Sequence, residues 1–265
     1  MRMFASIIAA TLLFAGTHAA NSQGMLKSLD LMSDDFTKSE MTRADIERAL
    51  AALKTDETLD LSGKRLNGLD LSGLDLQRAT FRAAKIMGTN FRGANLDRVK
   101  LDQAWALNSD FSGASMKGIS LFGSQLMHAK LDKADLTGAR IAGDLSQASL
   151  TGAKLNGADF SADMRNQSMG LMRGNLTSAR LDGADLSGAN LARALIEYAS
   201  LKETILKNAK LSGAEIAGAD FTGADVSGAD FAGADVSSAK LTGLKGKESS
   251  NIEKAKNLER AITEK

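Results

Sequence analysis

An all-β solenoid built from five-residue units is the fold that the sequence predicts. The clearest stretch runs from residue 209 to 241, where Ala opens every quintet, a polar residue follows and an apolar residue stands at the centre. A period of five matches neither the period of about 3.6 of a helix nor the period of about 2 of a strand. Units this short can bury their apolar residues only by stacking on neighbouring units, as repeat proteins do.

The quintets extend well beyond this stretch. With the central residue called position i, the frame places i at every fifth residue from 61 to 141, from 145 to 160 and from 166 to 241. Of these 37 quintets, 35 have Leu, Phe, Ile, Val or Met at i, and 23 have Ala at i−2; the exceptions at i are Ala106 and Asn166. The residues at i and i−2 are therefore expected to face one interior, and the polar residues at i−1, i+1 and i+2 to face water.

The commonest quintet identifies a family resemblance. Residues 134–138 and 184–188 read ADLTG and ADLSG, and this A(D/N)LxG pattern resembles the repeats of the pentapeptide-repeat proteins over about residues 59–243. The resemblance implies a right-handed quadrilateral β-helix with four quintets to a coil and about nine coils. Residues twenty apart would then stack on one face. On that spacing Arg140, Asp159 and Arg180 would stack with alternating charge, and Asp185 would follow Arg165.

Residues 1–20 have the features of a secretory signal peptide. Arg2 supplies a positive start, and residues 4–14 form an apolar stretch that is too short to span a bilayer. Thr17 and Ala19 are small residues suited to cleavage after Ala19, with cleavage after Ala20 as the alternative. The signal predicts a periplasmic or secreted bacterial protein, exported by a Sec-type route, with no membrane span after cleavage. The other interpretation is an uncleaved N-terminal anchor.

Residues 21–58 are predicted to be an N-terminal segment with a capping helix. Residues 21–40 have the composition of a loop or weak helix. Thr42 is then placed as an N-cap with Asp45 at position N3. The residues that follow put apolar side chains on one face of the helix, namely Ile46, Leu50 and Leu53. Such a helix would cover the first coil, whose strand edges and core would otherwise be open.

The repeat region is predicted to span residues 59–244, with two slips in its frame. One residue is lost at Gly143, and one is gained between Ser161 and Asn166. The slips predict a compressed corner and a bulge. They are open to two interpretations, tolerated drift of the repeat or the mark of a binding face.

Residues 245–265 are predicted to form a C-terminal helix. Ser250 and Glu253 have the spacing of a capping box. An apolar face follows, made of Ile252, Ala255, Leu258 and Ile262. The helix would cover the last coil or pair with a second copy, and the family resemblance is compatible with a homodimer through the C-terminal coils and helix.

The composition offers no catalytic, cofactor or metal site. The chain has no Cys, and His128 is its one His beyond the signal. No hydrolase, metalloprotease or phosphate-binding motif occurs. The Asp residues recur at i−1 on successive faces, so they would ring the rod instead of converging on a substrate or an ion. With 33 basic and 32 acidic residues, the chain has no general attraction to nucleic acid.

Apolar residues at outward positions are the strongest candidates for a functional site. Met87, Leu107 and Met127 occupy i+1 on one face in successive coils, and Trp105 lies beside them at i−1. Phe122, at i+1 on the preceding face, would extend this ladder. Contiguous apolar surface marks partner sites, and Trp is enriched at binding hot spots. The alternative is that residues 21–40 fold back over the ladder and bury it.

These features together predict an exported, non-catalytic binding or scaffold protein. Its partner would be another protein, of unidentified kind, that docks on a flat face of the solenoid. The resemblance adds two alternatives, a DNA-mimicking topoisomerase-binding protein and a secreted host-directed effector. The first would need a cytoplasmic, strongly acidic rod, whereas this chain has a signal peptide and balanced charge.

Overall fold

The computed structural model describes residues 30–163 and 172–263. Helix α1 spans Asp34–Thr37 and helix α2 spans Arg43–Ala52, and strands β1 and β2 span Leu59–Asp60 and Ala79–Thr80. Three 3₁₀ helices follow near the C-terminus, at Lys247–Ser249, Ile252–Lys254 and Leu258–Arg260. The predicted signal peptide lies outside the described residues. None of the helices in the described part of the chain has the length and apolar character needed to cross a membrane.

Each quintet forms a short extended side and then a turn. The turn after Phe81 is typical, because the amide of Ala84 donates to the Phe81 carbonyl at 3.0 Å. Its third residue, Ala83, has φ of 53°. Glycine adopts this left-handed conformation without the strain that other residues incur, which explains why Gly occupies the i+2 position of so many quintets. The turn recurs with each quintet, so the chain changes direction about every five residues.

Parallel pairings between successive coils form four ladders. Strand β1 pairs with β2 in the register Leu59↔Ala79, and later pairings join residues at i−1. Ladder B runs from Asp70 to Ile262, ladder C from Asp75 to Lys245 and ladder D from Asp60 to Asp230. Ladder A consists of Arg65, Lys85, Trp105, Gln125, Asp144, Asn175, Leu195, Glu215, Asp235 and Lys256.

The interior of the stack is mainly apolar, with buried Ser or Thr at a few i−2 positions such as Thr89 and Ser109. Every described residue at i from Leu61 to Val236 is at most 1% exposed, and the Ala side chains at i−2 are buried beside them. Phe91 and Phe111 stack in parallel with ring centroids 4.9 Å apart. Burying one large apolar side chain contributes about 1.5–3 kcal/mol, so this core stabilises the whole rod. The predicted inward positions i and i−2 are confirmed.

Helix α2 lies on the first coil with its predicted capping box. The Thr42 hydroxyl accepts a hydrogen bond from the Asp45 amide at 3.2 Å, and the Asp45 carboxylate accepts one from the Thr42 amide at 2.8 Å. Ile46 is fully buried in the core, and Met41 and Leu50 pack against it. The N-terminal capping helix is therefore confirmed.

The first frame slip is the predicted compressed corner. Ladder partners around it are nineteen residues apart, as in Gln125↔Asp144. Gly143 lies so close to the preceding coil that a Cβ atom would be 2.7 Å from the carbonyl oxygens of Leu121 and Ser124. Only glycine fits this position, because both neighbours are main-chain atoms.

The second slip is larger than predicted. The chain leaves the coil after Ala162, whose amide still donates to the Ala192 carbonyl at 3.3 Å, and rejoins at Gly174, whose amide donates to the Phe160 carbonyl at 2.9 Å. Ladder partners across this point are 31 apart, as in Asp144↔Asn175, so eleven residues beyond the usual twenty are left over. A coil through Asn166 would have put an amide into an apolar interior, at a cost of about 1–3 kcal/mol. Asn166 itself lies outside the described residues.

The stacking predicted across the second slip is therefore wrong. Asp159 pairs with Asn190, and Arg180 pairs with Ser149, so Arg140, Asp159 and Arg180 do not form one series. Asp185 pairs with Lys154. Arg165, its predicted neighbour, lies outside the described residues.

The predicted C-terminal helix is also wrong. Residues 246–263 continue the coil as three 3₁₀ helices, and Ser250 donates its hydroxyl to the Lys247 carbonyl instead of capping a helix. The amides of Lys256 and Ile262 donate to Ala234 and Ala239 at 2.8 Å each. These bonds continue ladders A and B, which an α-helix could not do. The homodimer through the C-terminal coils and helix stays a prediction, with the 3₁₀ turns in place of the expected helix.

Candidate partner-binding face

Face A is the surface formed by ladder A and the i+1 residues beside it. Trp105 is a member of ladder A and pairs with Lys85 above it and Gln125 below it. The i+1 residues of the same quintets include Met87, Leu107 and Met127, one coil apart. The structure thus places four of the five predicted site residues on one face.

The burial of these residues differs from the open ladder that the sequence suggested. Met87, Trp105 and Met127 are half-buried, and Leu107 is only 6% exposed. Phe122 is half-buried on the ladder D side, where it lines a shallow depression with Arg82 and Arg140. Phe122 therefore lies on the neighbouring face, as predicted, and its part in the site stays a prediction.

Residues 34–40, here called the strap, cross the N-terminal end of face A. Ser39 pairs with Leu66 in an antiparallel bridge, and the Glu40 amide donates to the Arg65 carbonyl at 2.9 Å. The Asn67 side-chain amide donates to the carbonyls of both Asp35 and Lys38 at 3.1 Å. The backbone of the strap is thus fixed to the coil at several points.

The strap also contacts face A through side chains, among them Asp35, Phe36 and Glu40, whose carboxylate lies 3.3 Å from Arg65 Nε. Asp35 forms ion pairs with Lys85 at 2.7 Å and with Arg65 at 3.2 Å. Hydrogen bonding by Lys85 is the main reason that the pKa of Asp35 lies below its ordinary value, and the charge of Lys85 and the hydrogen bond from Arg65 add to it. The Phe36 ring meets Trp105 edge-on, with centroids 5.4 Å apart, and Lys85 Nζ lies 5.0 Å from the Phe36 centroid.

These contacts bear on the alternative in which residues 21–40 cover the ladder. In the described part of that segment, from residue 30 onward, Phe36 covers Trp105. Residues 21–29 lie outside the described residues. Face A is therefore a covered surface at its N-terminal end.

Sequence reasoning missed Arg65 and Lys85, although their signal is present. Successive members of ladder A here carry like charges, which repel when they stack directly. In the described ladders this happens at one other step, from Glu215 to Asp235, again in ladder A. Each repulsion is offset from outside the coils, by Asp35 in the first case and by Arg173, 2.9 Å from Glu215, in the second.

The many Asp side chains bind the backbone of the coils. Asp60, for example, accepts a hydrogen bond from the Ser62 amide at 2.9 Å. Burial by itself would raise the pKa of Asp220, but hydrogen bonds from Thr222 and Lys240 outweigh it and lower that pKa. In the described part of the chain, no group of three or more His, Cys, Asp or Glu residues is placed to hold a metal ion. The carboxylates are thus engaged in holding the coil together.

A second pattern of Asp residues completes this network. Where Ser stands at i−1, an Asp at i+1 of the preceding coil accepts from the Ser hydroxyl, as Asp97 does from Ser115 at 2.6 Å. The same Asp97 accepts from the Lys117 amide at 2.9 Å. Thr80 has no such Asp above it, because Ser62 stands there, and the Thr80 hydroxyl is buried without a hydrogen-bond partner.

The family model named Pentapeptide repeats matches the chain in eight copies, over residues 65–103, 107–141, 144–162, 175–213 and 209–243. The chain belongs to the pentapeptide-repeat family. The matched ranges of this pentapeptide-repeat protein stop at residue 162 and resume at 175, where the structure shows the chain leaving and rejoining the coil. No curated protein sequence matches the chain.

Several solved structures of pentapeptide-repeat proteins are similar. HetL of the cyanobacterium Nostoc sp. strain PCC 7120, involved in heterocyst differentiation regulation, is 27% identical, with 84% of this chain and 98% of HetL aligned at a TM-score of 0.63. QnrB1, a plasmid-mediated fluoroquinolone resistance protein, is 17% identical over 78% of this chain and 92% of its own, with a TM-score of 0.41.

A pentapeptide-repeat protein from the Arabidopsis thaliana thylakoid lumen is 29% identical over 48% of this chain and 67% of its own, with a TM-score of 0.28. Of the three, HetL aligns over the largest share of both chains and has the highest TM-score. The likeness to HetL therefore shows the shared solenoid fold.

Proposed function

We propose that this pentapeptide-repeat protein is an exported, non-catalytic binding module whose protein partner docks on face A. The observation that carries the proposal is the clustering of Met87, Trp105, Leu107 and Met127 on one face, at positions that regular quintets fill with polar residues. The four ladders support the right-handed coil of square cross-section, about nine turns long, that the family implies. Such a rod would present face A as a flat strip.

The charges at the two ends of face A support the same conclusion. Its N-terminal end carries Arg65 and Lys85, its C-terminal end carries Glu215 and Asp235, and the apolar residues lie nearer the N-terminal end. Both charged ends already bind segments that are not part of the repeat. A face that binds non-repeat segments of its own chain has the chemistry to bind a segment of a partner.

Site-specific photo-crosslinking in the envelope tests docking on face A. A crosslinking residue replaces His128, which is exposed next to Met127, and in a matched variant it replaces Asn208 on the ladder C side. Both positions are i+2 residues with positive φ, of 59° and 55°, so the two replacements perturb the backbone equally. We expect an adduct of defined mass from the His128 position alone.

A pair of substitutions ties that adduct to the apolar residues. Trp105→Ser should abolish the adduct, because it removes the aromatic centre of the face. Ile205→Ser should leave it intact, because Ile205 is 38% exposed on ladder C, away from face A. Equal adducts from both crosslinking positions, or an adduct that survives Trp105→Ser in a folded protein, would exclude docking on face A.

Export is tested separately by cell fractionation and N-terminal sequencing. We expect a mature protein in the periplasm or the medium that begins at residue 20 or 21. Full-length protein confined to the cytoplasm would exclude this part of the proposal.

The DNA-mimicking alternative would require an acidic surface along the rod. Outside the two like-charged steps of ladder A, neighbouring charged residues of the ladders instead differ in sign, as where Lys130 follows Asp110 and Lys240 follows Asp220, and the chain has a formal charge of +1. The charge pattern therefore does not favour this alternative. A gyrase supercoiling assay without inhibition would exclude it.

A further inference from the structure

We infer that the N-terminal end of face A, made of Arg65, Asn67, Lys85 and Trp105, is a recognition site for an acidic peptide segment in which a carboxylate is followed by an aromatic residue. The strap is its resident occupant. The inference rests on the proposed function, because it names the chemistry of the partner segment that would dock on face A.

The receptor side of this site is built by the coils and does not depend on the strap. Arg65, Lys85 and Trp105 are successive members of ladder A, and Asn67 is anchored by the bond that its side-chain oxygen accepts from the Met87 amide at 3.0 Å. The ladder holds the two cations in neighbouring coils, where they repel each other. An anion bound between them relieves that repulsion.

The site recognises three features of the strap. The two oxygens of Asp35 each bind a different cation, which selects a carboxylate. The ring of Phe36 makes an edge contact with Trp105 and also contacts the Lys85 ammonium. These two contacts select an aromatic side chain. Asn67 binds two carbonyls of the backbone, which selects a peptide irrespective of its other side chains.

The strap is bonded to the coil through its backbone, at Ser39 and Glu40 and by the Asn67 side chain, but its own helix contributes little to holding it there. Helix α1 has four residues, none of them buried, and its N-cap residue makes no side-chain cap hydrogen bond. An isolated helix of this length is unstable, and exposed ion pairs contribute little to stability. A partner segment that offers the same carboxylate, aromatic ring and backbone carbonyls would therefore compete with the strap for this end of face A.

The experiment measures peptide binding to a full chain whose strap is released. The variant carries Asp35→Ala, Phe36→Ala and Glu40→Pro, which remove the ion pairs with the face, the contact with Trp105 and the amide that donates to Arg65. The probe is a fluorescent synthetic peptide of residues 30–41, followed by anisotropy. We expect the peptide to bind the released variant saturably. Its affinity for the parent chain should be at least tenfold lower, because the strap competes there. Asp34→Ala is the matched control, since Asp34 pairs with exposed Lys38 and not with the face, and it should bind the peptide as weakly as the parent.

Variants of the peptide and of the face test the chemistry of recognition. A peptide with Asn in place of Asp35, or Ala in place of Phe36, should lose most of its affinity, and so should the released chain with Arg65→Ser and Lys85→Ser. Higher salt should weaken binding because the site is exposed to solvent. Absence of saturable binding, or equal affinity of all the peptides, would overturn the inference.

The outcome is separable from that of the proposed function. Peptide binding without a crosslinked adduct at His128 would support the recognition site and contradict the proposal that a cellular protein docks on face A. An adduct without peptide binding would support docking on face A and contradict the acidic–aromatic chemistry.

Discussion

At the N-terminal end of the solenoid a ten-residue α-helix lies on the first coil, whereas at the C-terminal end residues 246–263 add one more, irregular turn built from three 3₁₀ helices. Both ends bury an isoleucine, Ile46 in α2 and Ile252 in the last turn. They differ in how they treat the backbone edge of the neighbouring coil. Helix α2 keeps its own hydrogen bonds, and the strap binds the edge at Arg65.

The C-terminal turn both covers the core and pairs with the backbone edge of the neighbouring coil. It covers the core through Ile252 and supplies ladder partners through Lys256 and Ile262. Asn251 and Asn257 add side-chain bonds to Asp230 and Asp235, at 2.6 and 2.9 Å. Where the chain runs past a coil edge in register, pairing with that edge is favoured over a helix, because it covers an edge that would otherwise remain open.

The largest expected effect comes from the two buried isoleucines. Ile46→Ala and Ile252→Ala should each lower the free energy of unfolding by about 2–5 kcal/mol, because each leaves a cavity in the core. Chemical denaturation followed by circular dichroism measures both. Ile262→Ala is the control, because Ile262 is 50% exposed and should change stability by less than about 0.5 kcal/mol. An Ile252→Ala variant as stable as the control would mean that the C-terminal turn does not dock.

A smaller effect distinguishes the two capping-box sequences. Thr42→Ala should cost about 1 kcal/mol, since it removes the hydrogen bond to the Asp45 amide. Ser250→Ala should cost less than about 0.5 kcal/mol, because the Ser250 hydroxyl donates only to the Lys247 carbonyl at the surface. The same denaturation experiment gives both values. Equal losses would contradict the difference between the two ends.

The smallest effect is a dependence on pH that both ends should share. Hydrogen bonds from Thr42 lower the pKa of Asp45, and a hydrogen bond from the Asn251 side chain is the main reason that the pKa of Asp230 is lowered. A carboxyl group whose folded pKa is depressed contributes its stability fully above the unfolded pKa of about 3.9, and loses it as the pH falls through the folded value.

Asp45→Asn and Asp230→Asn should therefore be less stable than the parent at about pH 7 and should approach it as the pH falls from about 4 towards 2. Thermal unfolding at several pH values provides the measurement. A gap that stays constant over this range would show that the charge of the carboxylate is not what stabilises either end.

The repeat region was predictable because its signal is local and redundant. Each quintet contains the pattern that identifies its inward residues. The corner at Gly143 is predicted by the loss of a single residue from the frame. Helix α2 was predictable because its capping box and apolar face agree. Where one residue pattern is compatible with two structures, the sequence does not decide between those structures. The apolar residues Ile252, Ala255 and Leu258 suit an α-helix and also successive 3₁₀ turns, and only the coil edge next to them favours the second.

The departure of the chain after Ala162 was missed for a related reason. The five-residue frame continues through Asn166, so the residues there were counted as quintets. The frame alone does not show whether a quintet lies in the coil. The candidate face was predictable in its apolar part, through Met87, Trp105 and Met127. That residues 21–40 cover the face was one of two alternatives, but the contacts of Asp35 and Phe36 could not be predicted, because these residues lie outside the repeat and have no sequence register with the coils.

The single tryptophan of the chain allows the most direct test of the central claim, that the strap covers face A. Emission and acrylamide quenching of Trp105 are measured in the parent chain, in Phe36→Ala and in the control Asp34→Ala. The account predicts longer-wavelength emission and stronger quenching in Phe36→Ala alone, because Phe36 lies against the indole ring. Identical emission and quenching in all three proteins would contradict it.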